Sequence, residues 1–193
     1  MTEPRRVFLF SGHLIDARGR KAPRFPPERE PIAAGAIAAA LDELGAGSAD
    51  LGITEGACGG DLLFAEALLE RGAALELRLP FDERTFLRES VDFEKPPSSM
   101  PGRWHERFVQ VKARAKALVM PEVLGPTPDG QSPYERCNRW MLDDALAMGV
   151  EKLTFICLWD GGGGDGPGGT RHMVEAVRSQ GGEVRWLDTR KLW

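Results

Sequence analysis

The sequence has few of the features that mark a secreted, membrane-spanning or metal-binding protein. No apolar run reaches the ~18 residues of a membrane span, and the N-terminus MTEPRRVFLF has no signal-peptide pattern. Cys58, Cys137 and Cys157 are odd in number and widely spaced, so neither a disulfide framework nor a CxxC metal site is indicated. The net charge of −4 disfavours generic nucleic-acid and anionic-membrane partners. We therefore expect a reduced, cytoplasmic protein.

The common signatures of nucleotide cofactors are also missing. The chain has no GxGxxG fingerprint and no Gly-Lys-Ser/Thr of a P-loop, so neither a dinucleotide fold of the usual kind nor an NTPase is indicated. No cofactor and no metal ion are predicted. No internal repeat or linker divides the 193 residues, and a hydrophobic fraction of 42% is ordinary for a globular protein with a core. We expect one domain over residues 1–193.

What the chain does contain is a regular alternation of strand and helix patterns. Strand-type runs lie at residues 6–11, 51–55, 75–79, 117–120, 154–159 and 183–188. Helical patterns lie between them, at residues 31–44, 62–71, 82–91, 104–116 and 134–148, and again from Thr170 onward. This alternation predicts an α/β fold with a mostly parallel sheet of about six strands.

The long connections all follow strands. They cover residues 12–30, 80–103, 121–133 and 160–168, whereas the connections that follow helices are short. In a parallel sheet, ligands bind beyond the carboxyl ends of the strands, and elaborated loops are the ones that carry function. The sequence therefore predicts a small-molecule site at this edge of the sheet.

Three glycine-rich junctions fall at that predicted edge: FLFSGH, EGACGGD and GDGPGGT. Glycine lets the backbone approach a ligand, and a helix that begins there directs N–H groups at an anion. A phosphate or carboxylate is the expected ligand group. The candidate binding residues are Ser11, Gly12, His13, Arg24, Gly56, Gly59, Gly60, Asp61, Asp160, Gly168, Gly169, Thr170 and Arg171.

Several of these residues have a second interpretation. Asp61 is also suited to cap the helix that follows it. The basic loop that contains Arg24 is either a mobile flap over a phosphate, with little to bury, or a solvated surface. Cys58 is a weak candidate nucleophile because no paired histidine can be located. Other candidates are a base-stacking role for Trp140 or Trp159, phosphate contact or acid–base chemistry for His172, and a binding role for Asn138.

The junctions and their surroundings resemble the SLOG superfamily of Rossmann-like nucleotide-binding domains. The resemblance covers most of the chain and is carried by FSGH, by GACGGDLLFAEALLERG with LRLPF following, and by GPGGT before a helix. That superfamily includes the lonely-guy phosphoribohydrolases, the Smf/DprA DNA-processing proteins and sensor domains of bacterial conflict and antiphage systems. It implies a Rossmann-like three-layer sandwich that binds a nucleotide or nucleotide-derived molecule across the glycine turns.

The chain departs from the lonely-guy hydrolases at their PGGxGTxxE signature, whose glutamate serves N-glycosidic cleavage. Here Pro167-Gly168-Gly169 is followed directly by Thr170, and the nearest acid is Glu175. We therefore predict a nucleotide sensor domain of a bacterial signalling or defence system. An enzyme that cleaves an N-glycosidic bond is the alternative, with Glu66 and Glu175 as its candidate acids. A scaffold that acts by self-association is a third alternative, and a homo-oligomer is left open.

Overall fold

The sheet is parallel throughout the part of the chain that is described. Residues 3–17, 19–92, 103–162 and 169–193 are described by a computed structural model of the protein. The strands are β1 (Val7–Gly12), β2 (Leu51–Thr54), β3 (Ala74–Leu79), β4 (Lys116–Val119), β5 (Leu153–Trp159) and β6 (Glu183–Asp188). They lie in the order β4-β3-β2-β1-β5-β6, and each neighbouring pair is parallel. The predicted α/β fold with a six-stranded parallel sheet is confirmed.

Helices connect the strands on both faces of the sheet. Their bounds are α1 (Glu30–Glu43), α2 (Gly60–Glu70), α3 (Glu83–Phe86), α4 (Trp104–Lys112), α5 (Met120–Leu124), α6 (Pro133–Ala147), α7 (Thr170–Ser179) and α8 (Thr189–Leu192). One π turn, Leu87–Val91, continues α3. In the described ranges, no helix combines the length and the apolarity needed to cross a membrane.

Alternating residues of the central strand fill the two cores. Phe8 and Phe10 of β1 pack with α1, α2 and α4 on one face, whereas Val7 and Leu9 pack with α6 and α7 on the other. This is the period of two that an extended strand imposes on its side chains. The ring of Phe10 stacks on Phe64 of α2 with centroids 4.7 Å apart. The result is the predicted three-layer sandwich, with the sheet between two layers of helices.

Several element boundaries differ from those predicted. α4 ends at Lys112 instead of Lys116, because Lys116 already begins the edge strand β4. Pro121 does not end a strand but lies in the first turn of α5, where its missing N–H is tolerated. α2 begins at Gly60, so Asp61 lies inside the first turn and is not the N-cap residue. The short α8 follows β6 directly and was not predicted.

The connection between β1 and α1 is anchored at both of its ends. Ile15 and Phe25 are almost completely buried, and the Phe25 ring stacks on Trp193 with centroids 5.5 Å apart. The Asp16 carboxylate accepts hydrogen bonds from the backbone N–H groups of Arg24 (2.7 Å) and Phe25 (2.8 Å). The expectation that this segment buries little is therefore wrong for its ends, although Leu14, residues 19–23 and Glu28 lie exposed.

Candidate ligand-binding site

A cavity opens where the strand order reverses. β1 lies between β2, which the chain reaches next, and β5, which it reaches only after crossing to the other face of the sheet. Ligands of open α/β sheets bind at this position, beyond the carboxyl ends of the strands. The cavity has a volume of about 400 Å³ and is lined from the β1 end, the β2 end and the starts of α2, α6 and α7. This is the edge that the loop lengths predicted.

One end of the cavity, which we call the α7 end, is formed by Ser11, His13, Arg24, Gly169 and Thr170. The hydroxyls of Ser11 and Thr170 lie 3.1 Å apart and join β1 to the start of α7. Among the described residues, which omit 163–168, no side chain caps that helix start. In contrast, α6 begins at a serine whose Oγ accepts a hydrogen bond from the N–H of residue 135. The first turn of α7 therefore directs backbone N–H groups and a partial positive charge at the cavity.

His13 connects the α7 end to the turn after β5. Its Nε2 accepts a hydrogen bond from the Asp160 N–H at 3.0 Å, so Nε2 carries no proton and the ring hydrogen is on Nδ1. Burial lowers the pKa of His13, and the Asp160 carboxylate, 3.4 Å from Nε2, only partly offsets that effect. His13 is thus a neutral ring near pH 7, and Arg24 is the permanent positive charge among these residues.

The other end of the cavity, which we call the carboxyl end, contains Asp61 and Glu55. Asp61 is 7% exposed and accepts a hydrogen bond from the Ala57 N–H at 3.3 Å. Burial raises the pKa of Asp61 to about 7, although hydrogen bonds from backbone N–H groups act in the opposite direction. Asp61 is therefore poised between its neutral and charged forms at physiological pH.

Glu55 is the less expected of these two acids. It follows β2 directly, is 9% exposed, and its Oε1 has no hydrogen-bond partner within the described residues. Burial and the nearby Asp61 charge both raise its pKa well above the ordinary value. Two carboxyls in one buried space resist ionising together, so the pair retains at least one proton near neutral pH.

The remaining wall of the carboxyl end is polar. Ser90, in the π turn after α3, lies with its Oγ 2.9 Å from the hydroxyl of Tyr134 in α6. The buried amide side chain of Asn138 lines the cavity one helical turn further along α6. Hydroxyl, amide and carboxyl groups therefore surround this end of the cavity, which suits a ligand group rich in hydrogen-bond donors.

The cavity brings together about half of the residues predicted to bind a ligand. Seven of them line it: Ser11, Gly12, His13, Arg24, Asp61, Gly169 and Thr170. Five do not line it: Gly56, Gly59, Gly60, Asp160 and Arg171. Gly168 lies outside the described residues, as does Pro167.

Packing of the chain accounts for the glycines in the middle junction. Gly59 has a φ of +98°, and a Cβ there would lie 2.6 Å from the backbone nitrogen of Ile15. A Cβ on Gly60 would lie 3.2 Å from the Gly12 Cα. These two glycines therefore let the segment after β1 pack closely on the start of α2, beside the cavity.

The two glutamates predicted as catalytic candidates lie elsewhere. Glu66 accepts a hydrogen bond from Arg107 Nε at 2.7 Å, and Glu175 is exposed and pairs with Arg171 at 2.9 Å. Neither lines the cavity. Cys58 is fully buried, and burial raises the pKa of its thiol, so the suggested nucleophile is not available as a thiolate.

The aromatic and histidine candidates lie in three different places, and only one of the three lines the cavity. Trp159 lines the cavity and packs on Trp186, whereas Trp140 lies against Arg78, away from the cavity. His172 lies in a separate groove of about 240 Å³ between α6 and α7. Within the described residues, no group of three or more His, Cys, Asp or Glu side chains is placed to hold a metal ion.

The solved structures that are similar to this chain include one DNA processing protein. The X-ray structure of DNA processing protein A (DprA) from Streptococcus pneumoniae is similar over 96% of this chain, with 12% sequence identity and a TM-score of 0.46. The chain spans about half of that protein, because the match covers 53% of it. No protein-family model and no curated protein matches the chain.

Proposed function

We propose that this chain is a single cytoplasmic SLOG-like domain that binds a nucleotide or nucleotide-derived molecule and acts as a sensor. The observation that carries the proposal is the cavity at the reversal of strand order. At one end lies the start of α7, which no described side chain caps, and at the other end lies a polar wall that can accept hydrogen bonds from a ligand. A phosphate suits the first end and a sugar or base suits the second. The signalling or defence role rests on the resemblance in motifs.

The charges of the cavity support one orientation of such a ligand. Arg24 and the N–H groups of the α7 start lie at one end, whereas Glu55, Asp61 and the exposed Glu89 lie at the other. A phosphate is stabilised by a helix N-terminus and repelled by carboxylates. We therefore place the phosphate against Gly169 and Thr170.

Replacing Gly169 by aspartate tests this placement. The residue is the N-cap of α7, with a φ of −70° that any amino acid adopts. Aspartate is a favoured N-cap, so Gly169→Asp should keep or raise the thermal stability while its carboxylate occupies the anion site. We expect AMP affinity, measured by isothermal titration calorimetry, to fall at least about tenfold, because a charge-assisted hydrogen bond contributes about 1.5–3 kcal/mol.

The matched control is Gly169→Ala, which adds a methyl group without a charge and keeps every backbone N–H. It should retain AMP binding within about threefold, because the N–H donors and the charge at the helix start are unchanged. Its thermal stability should fall somewhat, because alanine is a poorer N-cap than glycine. If Gly169→Asp binds AMP with wild-type affinity, the phosphate does not bind at the start of α7. Failure of the wild-type protein to bind AMP, GMP, CMP or UMP would overturn the proposed function itself.

An enzyme that cleaves an N-glycosidic bond is the second candidate, and one observation favours it. Glu55 and Asp61 form a buried carboxyl pair with raised pKa values inside the cavity, and acid–base catalysts have such environments. Incubation with nucleoside monophosphates separates the two functions. The sensor proposal predicts binding without release of free base, whereas steady release that is lost in Asp61→Asn would establish the enzyme.

A further inference from the structure

Glu55 is an unexplained feature of an otherwise well-paired structure. Its side chain is more than nine-tenths buried, lines the cavity, and leaves Oε1 without a hydrogen-bond partner among the described residues. Native proteins pair nearly all buried polar groups, because leaving one unpaired opposes folding. An apolar side chain at this position would be more favourable for the fold alone.

The neighbours of Glu55 do not supply a structural reason for it. The thiol of Cys137 donates a hydrogen bond to the Arg78 carbonyl at 3.3 Å and also interacts with the Glu55 carboxyl, where it offsets only part of the rise in the pKa of Glu55. The guanidinium of Arg78 pairs with Glu76 and with Asp144, the latter at 2.7 Å. The nearest charged group that acts on Glu55 is Asp61, which has the same sign. Glu55 therefore has no cationic partner here that would explain its burial.

The position of Glu55 relative to the α7 start limits what it can contact. Glu55 follows β2, whereas Thr170 begins α7 with its hydroxyl 3.1 Å from that of Ser11 in β1. Adjacent strands are about 4.8 Å apart, so the end of β2 lies about one such spacing from the β1 end that Thr170 contacts. A ligand with its phosphate at the α7 end thus extends its sugar toward Glu55 and Asp61.

The carboxyl end is also better suited to hydroxyl groups than to a base. Ser90, Tyr134 and Asn138 complete it with oxygen and amide groups. The ring of Tyr134 already packs edge-on against Phe81, with centroids 5.2 Å apart. A protonated carboxyl donates a hydrogen bond and a charged carboxylate accepts one, and each sugar hydroxyl does both.

We propose that Glu55 and Asp61 form a subsite for the adjacent 2′- and 3′-hydroxyls of the ligand's ribose, with Glu55 selecting ribose over its deoxy forms. This inference rests on the proposed nucleotide-binding function and adds the group that is recognised. The unpaired Oε1 of Glu55 is the atom that accepts a hydrogen bond from a ribose hydroxyl. A deoxy ligand leaves it unpaired, and a site built for a hydroxyl discriminates strongly against the analogue without one.

The test compares AMP with 2′,3′-dideoxy-AMP in calorimetric titrations of the wild type and of Glu55→Met. We expect the wild type to bind AMP about 10- to 100-fold more tightly, the effect of a hydrogen bond to a charged or buried acid. In Glu55→Met this preference should fall below about threefold, while the melting temperature rises because the unpaired acid is gone. Glu106→Gln, which removes an exposed carboxylate that does not line the cavity, is the control and should keep the preference.

The outcomes distinguish this inference from the function on which it rests. Equal affinities of the wild type for the two ligands, or a preference that survives in Glu55→Met, would overturn the ribose subsite and leave nucleotide binding intact. Absence of binding by AMP, GMP, CMP and UMP to the wild type would overturn both. If Glu55→Met does not fold cooperatively, the two ligands still decide the matter on the wild type, with 2′-deoxy-AMP and 3′-deoxy-AMP locating the hydroxyl concerned.

Discussion

Asp61 couples the cavity to the pH dependence of folding. Burial raises its pKa from 3.8 to about 7, so the folded protein holds this proton more tightly than the unfolded chain does. The unfolded chain loses the proton first as the pH rises. The contribution of Asp61 to stability is therefore fully present below pH 3.8, falls between that value and about pH 7, and is absent above.

Asp61→Asn should flatten this dependence, because an amide of the same shape does not titrate. One pKa unit corresponds to about 1.4 kcal/mol, so between about pH 5 and pH 7 the wild type should lose about 3 kcal/mol relative to the variant. Urea unfolding at several pH values in this window provides the measurement. Parallel stability curves for the two proteins would show that Asp61 has an ordinary pKa in the folded state.

Glu55 shows why part of the site could not be predicted at the residue level. In the sequence it ends a strand pattern and precedes a glycine, a position at which an exposed turn residue is the ordinary expectation. Its burial results from α3, the π turn and α6 closing over the end of β2, which are contacts distant in the chain. Asp61, Ser11 and Thr170 adjoin glycine turns, and this local signal placed them correctly at the cavity.

At the scale of elements, one guanidinium joins three helices. Arg107 of α4 donates to Glu66 of α2 at 2.7 Å and to Glu30 of α1 at 2.6 Å. Its guanidinium also lies 4.2 Å from the centre of the Trp104 ring. All three charged side chains are partly shielded from solvent, so the pairs are stronger than those of an open surface. This arrangement gives Glu66 a structural role.

Glu66→Gln should therefore lower stability and leave the ligand in place. We expect the free energy of unfolding to fall by about 1–3 kcal/mol, the range for hydrogen bonds to charged groups, with AMP affinity unchanged. Glu106→Gln removes an exposed carboxylate from α4, the helix of Arg107, and should change stability by less than about 0.5 kcal/mol. A Glu66→Gln variant that keeps its stability but no longer binds AMP would show that Glu66 contacts the ligand, and would contradict its structural role.

The segment that was expected to be a mobile flap is anchored by an aromatic contact that local sequence reasoning could not predict. Prolines and charges dominate residues 13–30, and this composition indicated a segment with little to bury. Phe25 nevertheless reaches the core, where Trp193 at the other end of the described chain packs on it. Arg24 is held beside Phe25 by the Asp16 carboxylate, and this fixes the backbone that carries the one arginine lining the cavity.

At the scale of the whole molecule, the parallel sheet and the edge that carries the cavity were predictable. The period-2 and helical patterns are strong in long buried segments, and the excess of loop length at one edge indicated where a ligand binds. The strand order, β4-β3-β2-β1-β5-β6, was not predictable, because it depends on which side each crossover takes. That order places the end of β2, which Glu55 follows, beside the end of β1, where Ser11 contacts Thr170, and the proposed orientation of the ligand depends on it.

A crystal structure of the protein with AMP bound tests this account most directly. We predict phosphate oxygens within hydrogen-bond distance of the Thr170 backbone N–H and the Ser11 hydroxyl, with the ribose hydroxyls at Glu55 and Asp61. A nucleotide that reverses this orientation would contradict the ribose subsite. A nucleotide in the groove between α6 and α7, with its phosphate near Arg139 and His172, would contradict the central claim that the cavity between β1 and β5 is the binding site.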